Sequence, residues 1–175
     1  PDSPLDHFNV AENAYLHLIQ RADHYVYITT PYLILDNEFV TTLKTAAESG
    51  VDVRIITPSH PDKWYVHMVS RSYYQTLIQS GVKIYEYQPG FIHAKMCLCD
   101  DEAAMVGTAN LDYRSLYLHY ENAVLLYHTP VISDIKKDIE ETLEKSRLIT
   151  MEELRSKLRG TSVLCALLKL LAPLM

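Results

Sequence analysis

The sequence predicts an α/β fold, a mixed, mostly parallel β-sheet flanked by helices on both faces. Three observations predict it. Apolar runs rich in β-branched residues and tyrosine alternate with segments of helical periodicity through Tyr87. The links between those runs are too long for hairpins, so successive strands lie parallel beneath crossover helices. A later pair of apolar runs is joined only by Asp100-Asp101-Glu102, a hairpin that makes the sheet mixed.

The elements follow in order. Residues 1–9 read as an irregular lead-in. From Val10 to Ala22, apolar Ala11, Ala14, Tyr15, Leu18 and Ile19 recur at helical spacing. Tyr25 to Tyr32 is a β-rich run stopped by Pro31. Asp36 or Asn37 caps a second helix, with Phe39, Val40 and Leu43 inward and Gly50 ending it. Val51–Thr57 is a strand, residues 63–79 a helix closed by Ser80-Gly81, and Val82–Tyr87 a third strand before the Gln88-Pro89-Gly90 turn. Strands then span 91–99, 103–108 and 121–127. A long charged helix runs from Pro130 to about Ile149, with Ile132, Ile135, Ile139 and Leu143 along one side.

Composition bounds the function. A chain of 175 residues fits one domain, and 48% hydrophobic against 22% charged residues implies a packed core rather than disorder. Thirteen tyrosines read as core packing with wet edges. The net charge of −6 argues against nucleic acid as a general partner, because phosphate neutralisation supplies most non-specific affinity. Cys97 and Cys99 alternate on a strand and do not bridge; with Cys165 they are expected as reduced, buried thiols. The polar start, without Met, suggests a fragment of a longer chain. No uninterrupted apolar run reaches the roughly 18 residues that a membrane span requires.

Two units are expected. Residues 1–149 form the α/β domain. Residues 150–175 form a helical tail that is charged first and then nearly all apolar, SVLCALLKLLAPLM. The tail either docks on the core or lies in a membrane interface, with Arg155, Lys157, Arg159 and Lys169 near anionic headgroups.

Phosphate chemistry concentrates in residues 92–110. Side chains alternate on a strand, so His93 and Lys95 share a face, about 7 Å apart, while Ile92, Ala94, Met96 and Leu98 face a helix-covered core. An ammonium neutralises non-bridging phosphate oxygens, and an imidazole attacks phosphorus or protonates a leaving oxygen. Asp100 has the opposite parity and belongs to the turn. Thr108 and Asn110 offer a hydroxyl and an amide beside them, and Gly107 permits close backbone approach. Glu121, at the start of the next strand, is placed to orient the imidazole. The other histidines read as surface or unpartnered residues, and Tyr113 and Arg114 fit a substrate groove or packing equally.

The joint pattern His93-x-Lys95-x4-Asp100-x6-Gly107-Thr108-x-Asn110, followed by Glu121, resembles the HKD signature of the phospholipase D superfamily. The flanking Tyr27–Tyr32, Pro89–Lys95 and Gly107–Ser115 resemble the C-terminal half of the bacterial cardiolipin synthases, and the resemblance covers nearly the whole chain. It implies a catalytic role for His93, phosphate binding by Lys95, Thr108 and Asn110, a His-supporting Glu121, and a structural role for Asp100. Thr108 departs from the usual serine and keeps the hydroxyl. No metal or other cofactor is implied. The implied reaction is phosphatidyl transfer between two phosphatidylglycerols through a phosphohistidine, on the cytoplasmic side of a bacterial inner membrane.

Such sites are built from two motifs, and this chain carries one. The second half is expected from a missing N-terminal part or a homodimer mate. Two other functions remain open: a homodimeric phosphodiesterase or nuclease, and an inactive module that binds a membrane or partner.

Overall fold

A computed structural model describes residues 2–5, 7–158 and 167–170; the side chains of 156–158 are outside that description. Seven strands form one sheet in the order β6-β5-β4-β1-β2-β3-β7. In chain order the elements are α1 (Val10–Arg21), β1 (Tyr25–Thr29), α2 (Asn37–Glu48), β2 (Asp52–Pro58), α3 (Trp64–Gln79), β3 (Lys83–Tyr87), β4 (Met96–Cys99), β5 (Ala103–Gly107), β6 (Ala123–Tyr127), α4 (Val131–Glu144), β7 (Ser146–Leu148) and α5 (Met151–Leu158).

The mixed α/β class is as the sequence predicts, with one change of proportion. Only the β1–β2 and β2–β3 ladders are parallel; β1–β4, β4–β5, β5–β6 and β3–β7 are antiparallel. The parallel part is the region of crossover helices, and every strand after Tyr87 enters against its neighbour.

Helices cover both faces unequally. On one face α1, α2 and α3 bury Tyr15, Ile19, Phe39, Leu43, Tyr74 and Leu77 against Val26, Ile28, Ile55, Ile84, Cys97 and Cys99. On the other, α4 lays Ile132, Ile135, Ile139 and Leu143 over Tyr27, Ile56, Met96 and Leu98. Strand β4 shows why both are needed: its alternate residues feed opposite cores, and none of the four is exposed. Cys97 and Cys99 are free and buried as expected, and burial raises both thiols well above their ordinary range, with the Cys97 thiol the higher. The Cys165 expectation lies outside the described residues.

Local chemistry fixes the element ends. Asp36 caps α2 by accepting from the Phe39 N–H at 2.8 Å. Strand β1 stops at Thr29 because Pro31 follows, so residues 91–95 lose their ladder partner and β4 begins at Met96, not at 91. Met96 N–H instead starts the pairing by donating to Thr29 Oγ1 at 3.1 Å.

The long charged helix α4 also ends early. It stops at Glu144, and Ser146–Leu148 turns onto the open edge of β3. A buried carboxylate anchors that edge. Glu86, 1% exposed, takes two hydrogen bonds from Arg71 at 2.9 Å and lies 3.6 Å from Arg147 on β7.

Residues Arg114–Leu118 form a π-helical turn that periodicity does not reveal. Tyr117 fastens it to two helix starts, donating its hydroxyl to Glu12 at 2.9 Å and lying in a short hydrogen bond with Asp36.

Of the expected tail, α5 and Leu167–Leu170 are described. Lys169 does not project freely: its Nζ lies 4.0 Å from the centroid of the buried Tyr73 ring, and burial lowers its pKa. Arg155 is exposed on α5, while Arg159 and the Lys157 side chain lie outside the described residues. Among the described residues, no helix is long and apolar enough to cross a membrane.

Candidate active site

The carboxyl ends of β1, β2 and β3 lie along one edge of the sheet, and β4 starts where β1 ends, Met96 opposite Thr29. Strand β5 leaves at that edge, with Val106 opposite Met96 and Gly107 N–H bonded to Lys95 O at 3.2 Å. His93 and Lys95 therefore arrive, and Thr108 and Asn110 depart, at the crevice where open α/β sheets collect ligands. A cavity of about 460 Å³ there is lined by His93, Lys95, Thr108 and Asn110 with Ala94, Met96, Val106 and Gly107. Among the described residues, no acidic side chain lines it.

His93 and Lys95 lie closer than strand spacing implies. Lys95 Nζ is 3.0 Å from His93 Nδ1 and donates to His93 O at 2.6 Å. An ammonium has no lone pair, so Nδ1 accepts and the neutral ring carries its proton on Nε2. Burial, then the Lys95 charge, lowers the His93 pKa. Lys95 is 8% exposed and forms no ion pair among the described residues. Burial lowers its pKa, opposed by the fields of Glu121 and Asp112. Two of its three hydrogens go to His93, which leaves one for an anion.

The parity argument holds for the neighbours: Ile92, Ala94, Met96 and Leu98 all join the α4-side core. It also holds for Asp100, which sits in the turn with φ 49°. Its carboxylate accepts from the backbone N–H groups of Asp23 at 2.6 Å, His24 at 3.0 Å and Tyr25 at 2.6 Å. It thereby ties the hairpin turn to the loop before β1, at the far end of β4 from Lys95.

Glu121 lies elsewhere than expected. It makes no hydrogen bond to His93; its Oε2 accepts a short bond from Thr108 Oγ1. Thr108 Oγ1 also accepts from Asn122 N–H at 2.9 Å. The carboxylate thus supports the hydroxyl and the field at Lys95, not the imidazole directly. The reason is the β5–β6 pairing, Gly107 opposite Ala123, which aligns residue 121 with the end of β5.

That pairing also explains Gly107. A Cβ there would lie 2.5 Å from Ala123 Cβ and 2.5 Å from Asn122 O, so the close approach that requires glycine is by the next strand.

Asn110 donates from Nδ2 to Ser115 Oγ at 3.0 Å, and its Oδ1 is buried without a partner among the described residues. Asn110 also lines a second cavity of about 400 Å³, with Tyr32, Lys63, Asp112, Arg114 and His119 among its walls. Sequence spacing does not find this group, which comes from the loop after β1, the start of α3 and the π-helical turn. Thr30 holds two of those loops together, donating to Tyr32 O at 2.7 Å and accepting from Leu111 N–H at 3.2 Å. Of the residues left open, Arg114 lines the second cavity and Tyr113 stacks on Tyr117 at 5.7 Å.

Comparison with known proteins gives a consistent picture. Residues 15–143 match the family described as "Cardiolipin synthase, PLD-like domain". An uncharacterized protein of Streptococcus mutans is 50% identical over 174 residues, 99% of this chain and 38% of that protein. A cardiolipin synthase of Geobacillus sp. is 39% identical over 172 residues, 98% of this chain and 34% of that protein. The chain thus spans little more than a third of the length of these relatives. The phosphatidylserine synthase structure of Haemophilus influenzae superposes with TM-score 0.72 at 18% identity, over 94% of this chain and 45% of that one, which is a likeness of fold.

Proposed function

The chain belongs to the phospholipase D superfamily, in the family of cardiolipin synthase PLD-like domains, and from that premise we propose that it supplies one His–Lys motif to a phosphatidyl-transfer site. The reaction takes two phosphatidylglycerols to cardiolipin and glycerol. The observation that carries this reading is Lys95, a buried ammonium without an ion-pair partner among the described residues, at an open cavity without acidic walls. Burying a charge unpaired is costly unless a ligand supplies the counter-charge.

The steps follow from these groups. An imidazole nitrogen bonds to phosphorus while the bond from phosphorus to the glycerol oxygen breaks. That oxygen takes a proton from the imidazolium of a second motif. The second imidazole then removes the proton of the acceptor hydroxyl as its oxygen bonds phosphorus, and the phosphorus–nitrogen bond breaks. His93 is one of the two imidazoles. The other belongs to a second motif, in another part of the same protein or in a second copy.

Lys95 neutralises the phosphate oxygens and Asn110 donates to them from Nδ2, while Thr108, whose single hydroxyl proton goes to Glu121, lines the cavity beside them. A phosphate that draws the Lys95 ammonium off Nδ1 lets that nitrogen take the proton and frees Nε2 to attack. Glu121 acts through Thr108 and through its field at Lys95. Asp100 stabilises the hairpin that presents the motif. The residues form a metal-independent site, with the ammonium in the role a divalent ion would otherwise fill.

A lipid substrate is supported by the cavity rim. Trp64, 62% exposed, stacks edge-on against Tyr65 at 5.9 Å, and Tyr65 lines the second cavity. Exposed amphipathic aromatics suit a headgroup layer. The site works at a membrane surface, the cytoplasmic face of a bacterial inner membrane, with the apolar C-terminal segment as an interfacial contact.

The test uses the protein that carries this chain, with chelator present. It is given phosphatidylglycerol vesicles in one arm and single-stranded DNA in the other. Cardiolipin and glycerol in equal amounts, with DNA intact, are expected. DNA cleavage without cardiolipin would replace this reading with the nuclease, and no product in either arm would leave the inactive binding module.

A further inference from the structure

The acceptor in the proposed transfer is itself a phosphodiester. Its free hydroxyl and its own phosphate stand at opposite ends of one glycerol. A site that takes it must hold two phosphates, one glycerol apart. A hydrolase, whose acceptor is water, needs only one.

The second cavity has the chemistry for the additional phosphate. It shares Asn110 with the His93–Lys95 cavity, so the two adjoin. Lys63 and Arg114 on its wall are exposed and form no ion pair among the described residues. Lys63 Nζ is 6.0 Å from the Tyr32 ring centroid. Tyr32 donates its hydroxyl to Asp62 at 2.5 Å, which occupies that neighbouring carboxylate. Arg114 gives Nε to His119 Nε2 at 2.7 Å, and its two terminal nitrogens make no hydrogen bond among the described residues. A guanidinium with those nitrogens available grips a phosphate in a fork.

Among the described residues, one acidic side chain, Asp112, lines the cavity. It is buried and accepts from Ser115 N–H at 2.8 Å, and burial raises its pKa. Lys63 is also the N-cap of α3, whose first turn carries no acid. That helix end adds positive field but would not define a site alone.

We propose that Lys63 and Arg114 bind the phosphodiester of the acceptor alcohol while its glycerol hydroxyl reaches past Asn110 to the phosphorus held by Lys95. This rests on the transferase reading and adds to it what favours a phosphate-bearing alcohol over water.

Two soluble probes test it on the full chain by calorimetric titration at fixed ionic strength. Glycerophosphoglycerol has one phosphate, and bis(glycerophospho)glycerol has two. The two-phosphate probe is expected to bind about tenfold tighter or more, a difference of roughly 1.4 kcal/mol. Lys63→Gln alone should narrow that ratio, and Lys63→Gln with Arg114→Gln should bring it within about twofold. Lys137→Gln, a distant charge removal, should leave it unchanged. Equal binding of the two probes by the unaltered chain overturns the second phosphate site, as does equal weakening of both by the double variant. Failure of the first site is distinguishable: binding of the one-phosphate probe would be indifferent to Lys95→Gln. If neither probe binds, both sites fall.

Discussion

Lys95 Nζ lies 3.0 Å from His93 Nδ1, so a buried cation stands directly beside the imidazole. Burial comes first and the Lys95 charge second in holding the His93 pKa below its ordinary value. A lowered imidazole pKa means that the ring sheds its proton at lower pH than usual. Removing the neighbouring cation relieves the imidazolium, so Lys95→Met should raise the His93 pKa toward about 6.5. Titration of the His93 ring signals by NMR reads this directly. An unmoved value would show that the ammonium does not act on the ring.

Thr108 is the link between Glu121 and the cavity. Its hydroxyl donates to the carboxylate and accepts from Asn122 N–H. Thr108→Ser keeps both bonds, and glycerophosphoglycerol binding should stay within about twofold. Thr108→Val removes the donor and leaves the carboxylate unsatisfied. Glu121, freed of its donor, then repels the phosphate, and binding should weaken by roughly tenfold, the size of a lost hydrogen bond to a charged group. Equal affinity in the two variants would remove Thr108 from the site.

Gly107→Ala tests the β5–β6 contact. The added methyl meets Ala123 Cβ and Asn122 O, both at 2.5 Å, and neither is a flexible side-chain end. Overpacking of this kind costs about 1–3 kcal/mol. A thermal melt should show a midpoint lower by several degrees, and an unchanged midpoint would contradict the register.

Asp100 separates structure from chemistry. Asp100→Ala strips the acceptor from three backbone N–H groups. It should destabilise the fold by about 1.5–3 kcal/mol in denaturant unfolding. The His93 ring titration should not change, because Asp100 sits at the opposite end of β4. A shifted titration would give Asp100 a chemical role.

The sequence carries the fold where local signals and packing agree. The Asp36 cap, the α4 stripe of isoleucines and the alternation around Met96 are all readable, because each follows from a fixed period or a local hydrogen bond. Strand β7 is not readable, since three residues after a helix pair only because β3 has a free edge. The strand at 91–99 is shortened by a partner's early end at Pro31, which is a tertiary effect.

The same division holds at the site. His93, Lys95, Thr108 and Asn110 are close in sequence and converge on one cavity. Glu121 bonds Thr108 rather than His93 because sheet register, not spacing, decides its partner. Lys63 and Arg114 come from separate loops, so no spacing marks them as a pair.

The central claim is that His93 performs chemistry on a phosphodiester. The most direct measurement is the rate of cardiolipin formation by His93→Ala in the protein that carries this chain, beside the unaltered protein. The expected result is a loss of roughly 10³-fold or more, with the melting midpoint retained. A variant that folds and forms cardiolipin at the unaltered rate would contradict the assignment.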